Sequence, residues 1–518
     1  MRQYVERVRA LTRVELAVLI AGVASMGLEI LAGRLVAPSF GSSIYTWGSI
    51  IGVFLAALSL GYYRGGRRAA ADASHWGITT NLLYAALYVG VVVFASEYVL
   101  ELGSALPVPG RFVPLVPVAI LFGPPVYLLG YVSPYAAELS ERETTGDAAG
   151  HVYALGTLGS IVGAFGTTFV LLPWLDVEVV GFLFGSLLVL AAVGLAVPAF
   201  PRKALPTVAL VSLVLVASVA GSSPAVSPLG DVVYHTQTPY QELQVVDRGG
   251  ERVLYLDGQR HSAMDTDRPN EHVFDYTRYF HLPLLMREDV DRVLFVGGGG
   301  FTGPKIFAAK YGVTVDVVEI DPEVVRVAKR YFGVEESPRL NVHVQDGRRY
   351  LRETDRKYDL IVLDAYKKDK VPFHLTTAEF MSLAADRLDE DGILLANIIA
   401  APAGPGSKLY RAEYRTMRTA FPRVYAFTTS ETDFLQNVIL IGTKDGRRLS
   451  RAELRRRNRQ REIGVNLSAE IDHMRTGVDP GDVPVLRDEK APVERLMDPM
   501  YGRKYVIERN GTADPATG

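Results

Sequence analysis

Long stretches without charge run through the first 220 residues, and they decide what this part of the chain can become. Seven segments, Val14–Ala37, Tyr45–Tyr63, Ile78–Ser96, Phe112–Pro134, Val152–Leu175, Val179–Phe200 and Ala204–Ala220, come close to the roughly 20 apolar residues that a bilayer crossing takes. Most hold no ionisable side chain, as the cost of a charge in hydrocarbon requires. Residues 1–220 are therefore expected to form a multi-span α-helical membrane domain of about seven spans. A cleaved leader accounts for at most the first segment, and Glu29 with Arg34 inside it argues against one. A soluble helical core fails because no polar faces alternate with the apolar ones. Pro114, Pro117, Pro124 and Pro125 predict a kinked fourth span. Gly156, Gly159, Gly163 and Gly166 predict close helix contact.

Beyond Ala220 charges appear every few residues. The whole-chain averages, 22% charged and 48% apolar, hide this division. A net charge of -2 gives no pull toward polyanions, so nucleic acid is not an expected partner. The absence of cysteine excludes disulfides, thiolate metal sites and thiol nucleophiles, and no metal centre is expected.

Residues 221–230, with two prolines among small residues, read as a linker. Glu242–Asp247 and Arg252–Asp257 alternate around Arg248-Gly249-Gly250, a hairpin signal that predicts a small β-subdomain over 231–285. From Arg292 short apolar strands alternate with helices. Val293–Val296, Val313–Ile320, Leu340–Val344, Lys357–Leu363 and Gly392–Ile398 are expected strands; Pro322–Tyr331 and Thr376–Leu388 are expected helices. This pattern predicts an α/β class I methyltransferase-like (Rossmann-like) domain over 286–445, a parallel sheet with helices on both faces. A basic helix and tail, 446–518, complete the chain.

Ligands of such sheets sit beyond the carboxyl ends of the strands. There, Gly297-Gly298-Gly299-Gly300 lets bare backbone approach a ligand. Glu319 ends the second strand, placed for ribose hydroxyls. Asp346-Gly347 follows the third, where a carboxylate can accept from an adenine amino group. Asp364 ends the fourth, over the reaction centre. A capping role explains any one of these acids; three at successive strand ends favour an adenosylmethionine-type site over a nicotinamide site.

Pro239-Tyr240-Gln241, Leu256-Asp257-Gly258, His281-Leu282-Pro283-Leu284, the glycine run, Glu319-Ile320-Asp321, Asp346-Gly347 and Asp364 together resemble the spermidine synthase (polyamine aminopropyltransferase) family. Glu29 through Arg34 to Pro38, Tyr45-Thr46-Trp47 and Gly61-Tyr62 resemble its membrane-fused branch. The resemblance implies that Gln241, Gly297, Gly299, Gly300, Glu319, Asp346 and Gly347 hold the nucleoside of decarboxylated S-adenosylmethionine, and that Asp364 is the proton acceptor. It implies transfer of an aminopropyl group to a di- or polyamine such as putrescine. Tyr276, Tyr366 and Lys367 fall where that amine would bind.

Three positions depart from the family. Gly300 stands in place of an aspartate that grips the donor's amine. Lys367 replaces a second acid three residues after Asp364. Asp275-Tyr276-Thr277 stands where Tyr-His-Glu is expected. Lost acids and gained lysines are unfavourable for a polycation in a dehydrated pocket. Two alternatives stay open: a methyltransferase using intact S-adenosylmethionine, and a transporter or sensor carrying a degenerate enzyme domain.

Basic residues before the first span (Arg2, Arg7, Arg9, Arg13) and after the second (Arg64, Arg67, Arg68) put the N-terminus in the cytoplasm. Seven crossings would then leave the catalytic domain outside, away from adenosyl donors. The cofactor argument places it in the cytoplasm instead, in a multi-pass protein of the cell membrane. The expected partners are a small amine and the lipid bilayer; a homo-oligomer is left open.

Overall fold

The computed structural model describes residues 11–40, 43–104, 108–140, 142, 144–197, 205–221, 230–366, 371–500, 505–509 and 512–515. The chain divides into two compact units, Met1–Pro224 and Ala225–Gly518.

Among its described residues the first unit is built of helices: α1 (Arg13–Phe40), α2 (Ile44–Asp72), α3 (His75–Ser104), α4 (Leu115–Gly130), α5 (Val132–Glu138), α6 (Thr145–Gly166), α7 (Val177–Ala196) and α8 (Leu205–Gly221). Among the described residues six helical spans are long and apolar enough to cross a membrane, α4 and α5 counting together. The seventh predicted segment forms the shorter α8, of 17 residues. Apolar side chains such as Leu55, Phe94, Phe165, Phe169 and Leu190 face outward, while others such as Leu28, Phe54, Leu82 and Phe122 are buried between the helices. Apolar surface outside as well as inside suits a lipid surround. A Cβ on Gly159 would lie 2.2 Å from the Leu19 carbonyl oxygen, and one on Gly163 2.3 Å from that of Val23, so α1 and α6 meet backbone to backbone. Pro124 and Pro125 lie inside α4, and the helix is interrupted at Tyr131 before α5.

The second unit opens with a four-stranded antiparallel sheet, β1 (Asp231–Gln237), β2 (Glu242–Arg248), β3 (Glu251–Leu256) and β4 (Gln259–Asp265) in sequential order. The predicted hairpin is β2–β3; β1 and β4 extend it on both sides. A 3-10 segment, Asp275–His281, and the short α9 (Pro283–Met286) lead into the main fold.

That fold comprises β5 (Arg292–Val296), α10 (Thr302–Lys310), β6 (Thr314–Glu319), α11 (Pro322–Tyr331), β7 (Leu340–Val344), α12 (Gly347–Glu353), β8 (Tyr358–Leu363), α13 (Ala378–Asp386), β9 (Leu388–Ala400), α14 (Lys408–Met417), β10 (Arg423–Thr428) and β11 (Gln436–Thr443). After α15 (Arg451–Gln460) and α16 (Ser468–Asp472), β12 (Met474–Arg475) pairs with β10. The sheet runs β12-β10-β11-β9-β8-β5-β6-β7. Five strands, β5 to β9, are parallel; β11 runs antiparallel between β9 and β10. This is the class I methyltransferase-like order, and the sheet is mixed rather than purely parallel as expected. Every residue of β8 is buried, as befits a strand covered on both faces.

The basic run after Arg447 is not wholly solvated. Arg457 of α15 and Arg461 just beyond it donate to the carbonyls of Leu284, Leu285, Met286 and Arg287, capping α9. The following segment straps the fold. Leu486 exchanges hydrogen bonds with Ala378 and Thr416, and Arg348 forks onto Asp488 at 2.7 and 2.5 Å. After α17 (Val493–Met497), Tyr505 bridges in parallel to Leu435, and β13 (Val506–Arg509) pairs with β14 (Thr512–Pro515).

Candidate active site

Four strand ends lie side by side, β8-β5-β6-β7, and each carries a predicted residue. The Asp364 N–H donates to the Val296 carbonyl at 2.9 Å, the Gly297 N–H to that of Val318 at 2.9 Å, and the Gln345 N–H to that of Glu319 at 3.0 Å. Neighbouring strands stand ~4.8 Å apart, so Asp364 and Glu319, two strands removed, flank a crevice about 10 Å wide. Gly297 makes this possible. Its φ is +100°, and a Cβ there would lie 2.3 Å from the Asp364 carbonyl oxygen, so only glycine lets the two strand ends close up.

Glu319 anchors the glycine turn. Its Oε2 accepts from the Gly298 N–H at 2.8 Å and its Oε1 from the Asp321 N–H at 3.0 Å. Burial raises its pKa, against the hydrogen bonds that favour the anion. A carboxylate has about four acceptor positions, so lone pairs remain for ribose hydroxyls. The adjoining Asp321, fully buried, accepts from the Thr238 hydroxyl at 2.7 Å and from Gln241 Nε2 at 3.2 Å. Asp321 thereby ties the small sheet to the main one and brings Gln241 beside Glu319.

Asp346 is held twice by the protein. Oδ1 caps α12 through the Arg349 N–H at 2.8 Å, and Oδ2 meets His374 Nε2 at 3.0 Å. Gly347 packs so closely under β5 that a Cβ would reach 2.4 Å from Val296 Cγ1.

At Gly300 a Cβ would stand 2.4 Å from Ser262 Oγ and 3.3 Å from the Phe332 ring. The place where the family carries an aspartate is thus filled by a serine from β4. Phe301, next in line, is buried and left-handed at φ +58°, a conformation that costs a non-glycine residue about 1–2 kcal/mol.

Asp364 keeps part of its surface open, yet enough protein surrounds it that burial pushes its carboxyl up to about 6; the bond from Asn397 pulls the other way. Asn397 Nδ2 donates to Asp364 Oδ1 at 2.8 Å. Tyr276, from the 3-10 segment, is buried close enough that burial first, then the Asp364 charge, raises its phenol. Tyr366 points elsewhere: its hydroxyl lies 2.7 Å from Glu413 Oε1 and 3.1 Å from the Leu375 carbonyl. Glu413 is fully buried and lifted by that burial to about 8. Lys367 lies outside the described residues.

Four residues of this neighbourhood were not singled out from the sequence: Ser262, Asn397, Asn437 and Tyr505. A lone amide within the apolar runs of β9 and β11 is a usable signal, because a buried polar group must find partners. Tyr505 carries no such signal.

Residues 274–447 match the family described as the spermine/spermidine synthase domain. A polyamine aminopropyltransferase of Vibrio vulnificus is 32% identical over 205 residues, covering 38% of this chain and 67% of that protein. Polyamine aminopropyltransferase 1 of Hyperthermus butylicus is 28% identical over 264 residues, covering 48% of this chain and 88% of the relative. Among solved structures, a probable spermidine synthase from Corynebacterium glutamicum is 20% identical with a TM-score of 0.39, covering 45% of this chain and 87% of the other.

Proposed function

Because this chain belongs to the spermine/spermidine synthase family, we propose that its second unit transfers an aminopropyl group from decarboxylated S-adenosylmethionine to an amine. The observation that carries this reading is the row of strand ends, with Glu319 on one side of the glycine turn and Asp364 on the other.

On this reading, the backbone of Gly297 to Gly299 and the side chains of Glu319, Gln241 and Asp346 hold the nucleoside. Asp364 draws the ammonium of the acceptor into the crevice and takes one proton from it, since an ammonium has no lone pair to attack with. The freed amine nitrogen attacks the methylene carbon next to the sulfonium. A C–N bond forms, the C–S bond breaks in line, and its electron pair returns to sulfur, leaving neutral methylthioadenosine. A carboxyl near 6 is mostly ionised at neutral pH and remains a competent acceptor. Tyr276 lines the acceptor side.

A second reading has its own support. With Ser262 in the place of an acid at Gly300, the donor's tail meets a hydroxyl rather than a carboxylate. Intact S-adenosylmethionine carries a carboxylate there, and this site lacks the charge that would repel it. Methyl transfer to another nucleophile is the corresponding chemistry.

Incubation of the full-length protein with each donor and putrescine, followed by mass analysis of the nucleoside, distinguishes the two. Methylthioadenosine supports aminopropyl transfer; adenosylhomocysteine supports methyl transfer. Binding without turnover of either donor refutes both.

We also propose that the catalytic unit faces the cytoplasm. Six long helices return the chain to the side of its basic N-terminus, and α8, at 1.5 Å per residue, is about 25 Å long, short of the ~30 Å hydrocarbon core. A compartment-sensitive fusion at the C-terminus tests this; an exported signal overturns it.

A further inference from the structure

Asp364 stands at the end of a one-way line of hydrogen bonds. The Tyr505 hydroxyl donates to Asn437 Oδ1 at 2.7 Å, Asn437 Nδ2 donates to Asn397 Oδ1 at 2.9 Å, and Asn397 Nδ2 donates to Asp364 Oδ1 at 2.8 Å. The direction is forced. A carboxylate only accepts, so Asn397 must turn its NH2 toward Asp364 and its carbonyl away. Asn437 must then donate to that carbonyl, which leaves its own oxygen in need of a donor. The phenol of Tyr505 supplies it.

The register of the sheet builds this line. Asn397 faces Ile439 and Asn437 faces Ile399 across the β9–β11 pair, so the two amides are diagonal neighbours on one face. Tyr505 arrives from the C-terminal strap, fixed by its bridge to Leu435. Asn397, Asn437 and Tyr505 are all buried. Water does not compete for the line, and each bond polarises the next.

We propose that Tyr505 is a positioning residue for the reaction, acting through Asn437 and Asn397 to fix Asp364 with Oδ1 occupied and Oδ2 turned to the substrate. Oδ2 makes no hydrogen bond among the described residues. The inference rests on the reading of Asp364 as proton acceptor. The titratable groups that sense Asp364 are Tyr276 from the 3-10 segment and Tyr505 itself. Both phenols are raised by burial first and by the carboxylate second, so both stay neutral while it ionises. The relay therefore favours the anion without adding a charge, and its loss raises the proton affinity of Asp364.

Tyr505→Phe in the full-length protein removes one oxygen and keeps the ring. The expected result is an unchanged donor Kd, a kcat lower by about tenfold, and an acid limb of kcat/KM displaced upward by about half a pH unit or more. Asn437→Leu cuts the same line one link nearer the carboxylate. It should give the same displacement, and the double variant no more than either alone. A purely structural role would move stability and leave the acid limb in place. A Tyr505→Phe profile that overlays the unaltered enzyme's, with donor binding intact, overturns the proposal. Retained activity in Asp364→Asn overturns instead the reading on which it rests.

Discussion

Replacing Asp364 by asparagine separates two consequences of one burial. The folded protein holds this carboxyl near 6 instead of its ordinary 3.8. At ~1.4 kcal/mol per pH unit, ionising it in the fold costs about 3 kcal/mol at most. The sign follows from proton linkage. Below pH 3.8 the group is protonated in both states, and its contribution to stability is complete. As the pH rises toward 6 the unfolded chain ionises first, and the contribution is lost. Asparagine has nearly the same shape and never ionises. Asp364→Asn should therefore stabilise the protein by up to about 3 kcal/mol at pH 7.5, by roughly half of that at pH 5, and by almost nothing near pH 3.5. On the proposed reading of Asp364 as proton acceptor, the same change should also lower kcat by about 10²- to 10⁴-fold. Pulse proteolysis in urea on the full-length protein in micelles reads the first effect, and release of methylthioadenosine the second. Tryptophan emission would be blind to it, because Trp47, Trp76 and Trp174 all belong to the helical unit. Turnover within tenfold of the unaltered enzyme, or no gain in stability at pH 7.5, refutes the reasoning.

Other expectations follow from the same geometry. Glu319→Gln loses an acceptor for either the Gly298 or the Asp321 N–H, and should weaken donor binding by about 1–3 kcal/mol, read by calorimetry with kcat little changed. Gly300→Asp drives a Cβ into Ser262 Oγ and should destabilise the fold by about 1–3 kcal/mol; Ser262→Ala in the same protein should recover part of this, as a paired unfolding series would show. The imidazoles of His272 and His281 meet at 2.8 Å between Thr277 and Tyr311, and burial holds His272 down to about 4. Its folded pKa lies below the unfolded 6.5, so stability is complete above pH 6.5 and falls as the pH drops toward 4, by up to about 1.4 kcal/mol per pH unit. His272→Gln should flatten that acid limb in urea midpoints collected between pH 4 and 7.

Much of the catalytic unit is legible in the chain because buried strands write themselves as short apolar runs. Val293–Val296, Leu340–Val344 and the stretch ending at Leu363 fall within a residue or two of β5, β7 and β8. The acids beyond them are legible for the same reason, since a strand's last residue marks where the crevice begins. Direction is another matter. The run Val438–Ile441 reads like any parallel core strand, and only pairing with β9 makes it antiparallel. The partners of a side chain are less legible still. Tyr366 is two residues from Asp364 in sequence and Tyr276 far from it, yet Tyr366 turns to Glu413 while Tyr276 senses Asp364. Ser262 and Tyr505 reach the site from β4 and from the strap, where no local pattern announces them. Their placement is a property of packing between distant segments, on which periodicity is silent.

The strap also sets a schedule. A ribosome adds about 5–20 residues each second, so Tyr505 joins the chain roughly 15–60 s after α8 has been made. For the last part of that interval Asn437 already exists without its phenolic donor. The helical unit is therefore made well before the line of hydrogen bonds to Asp364 can close.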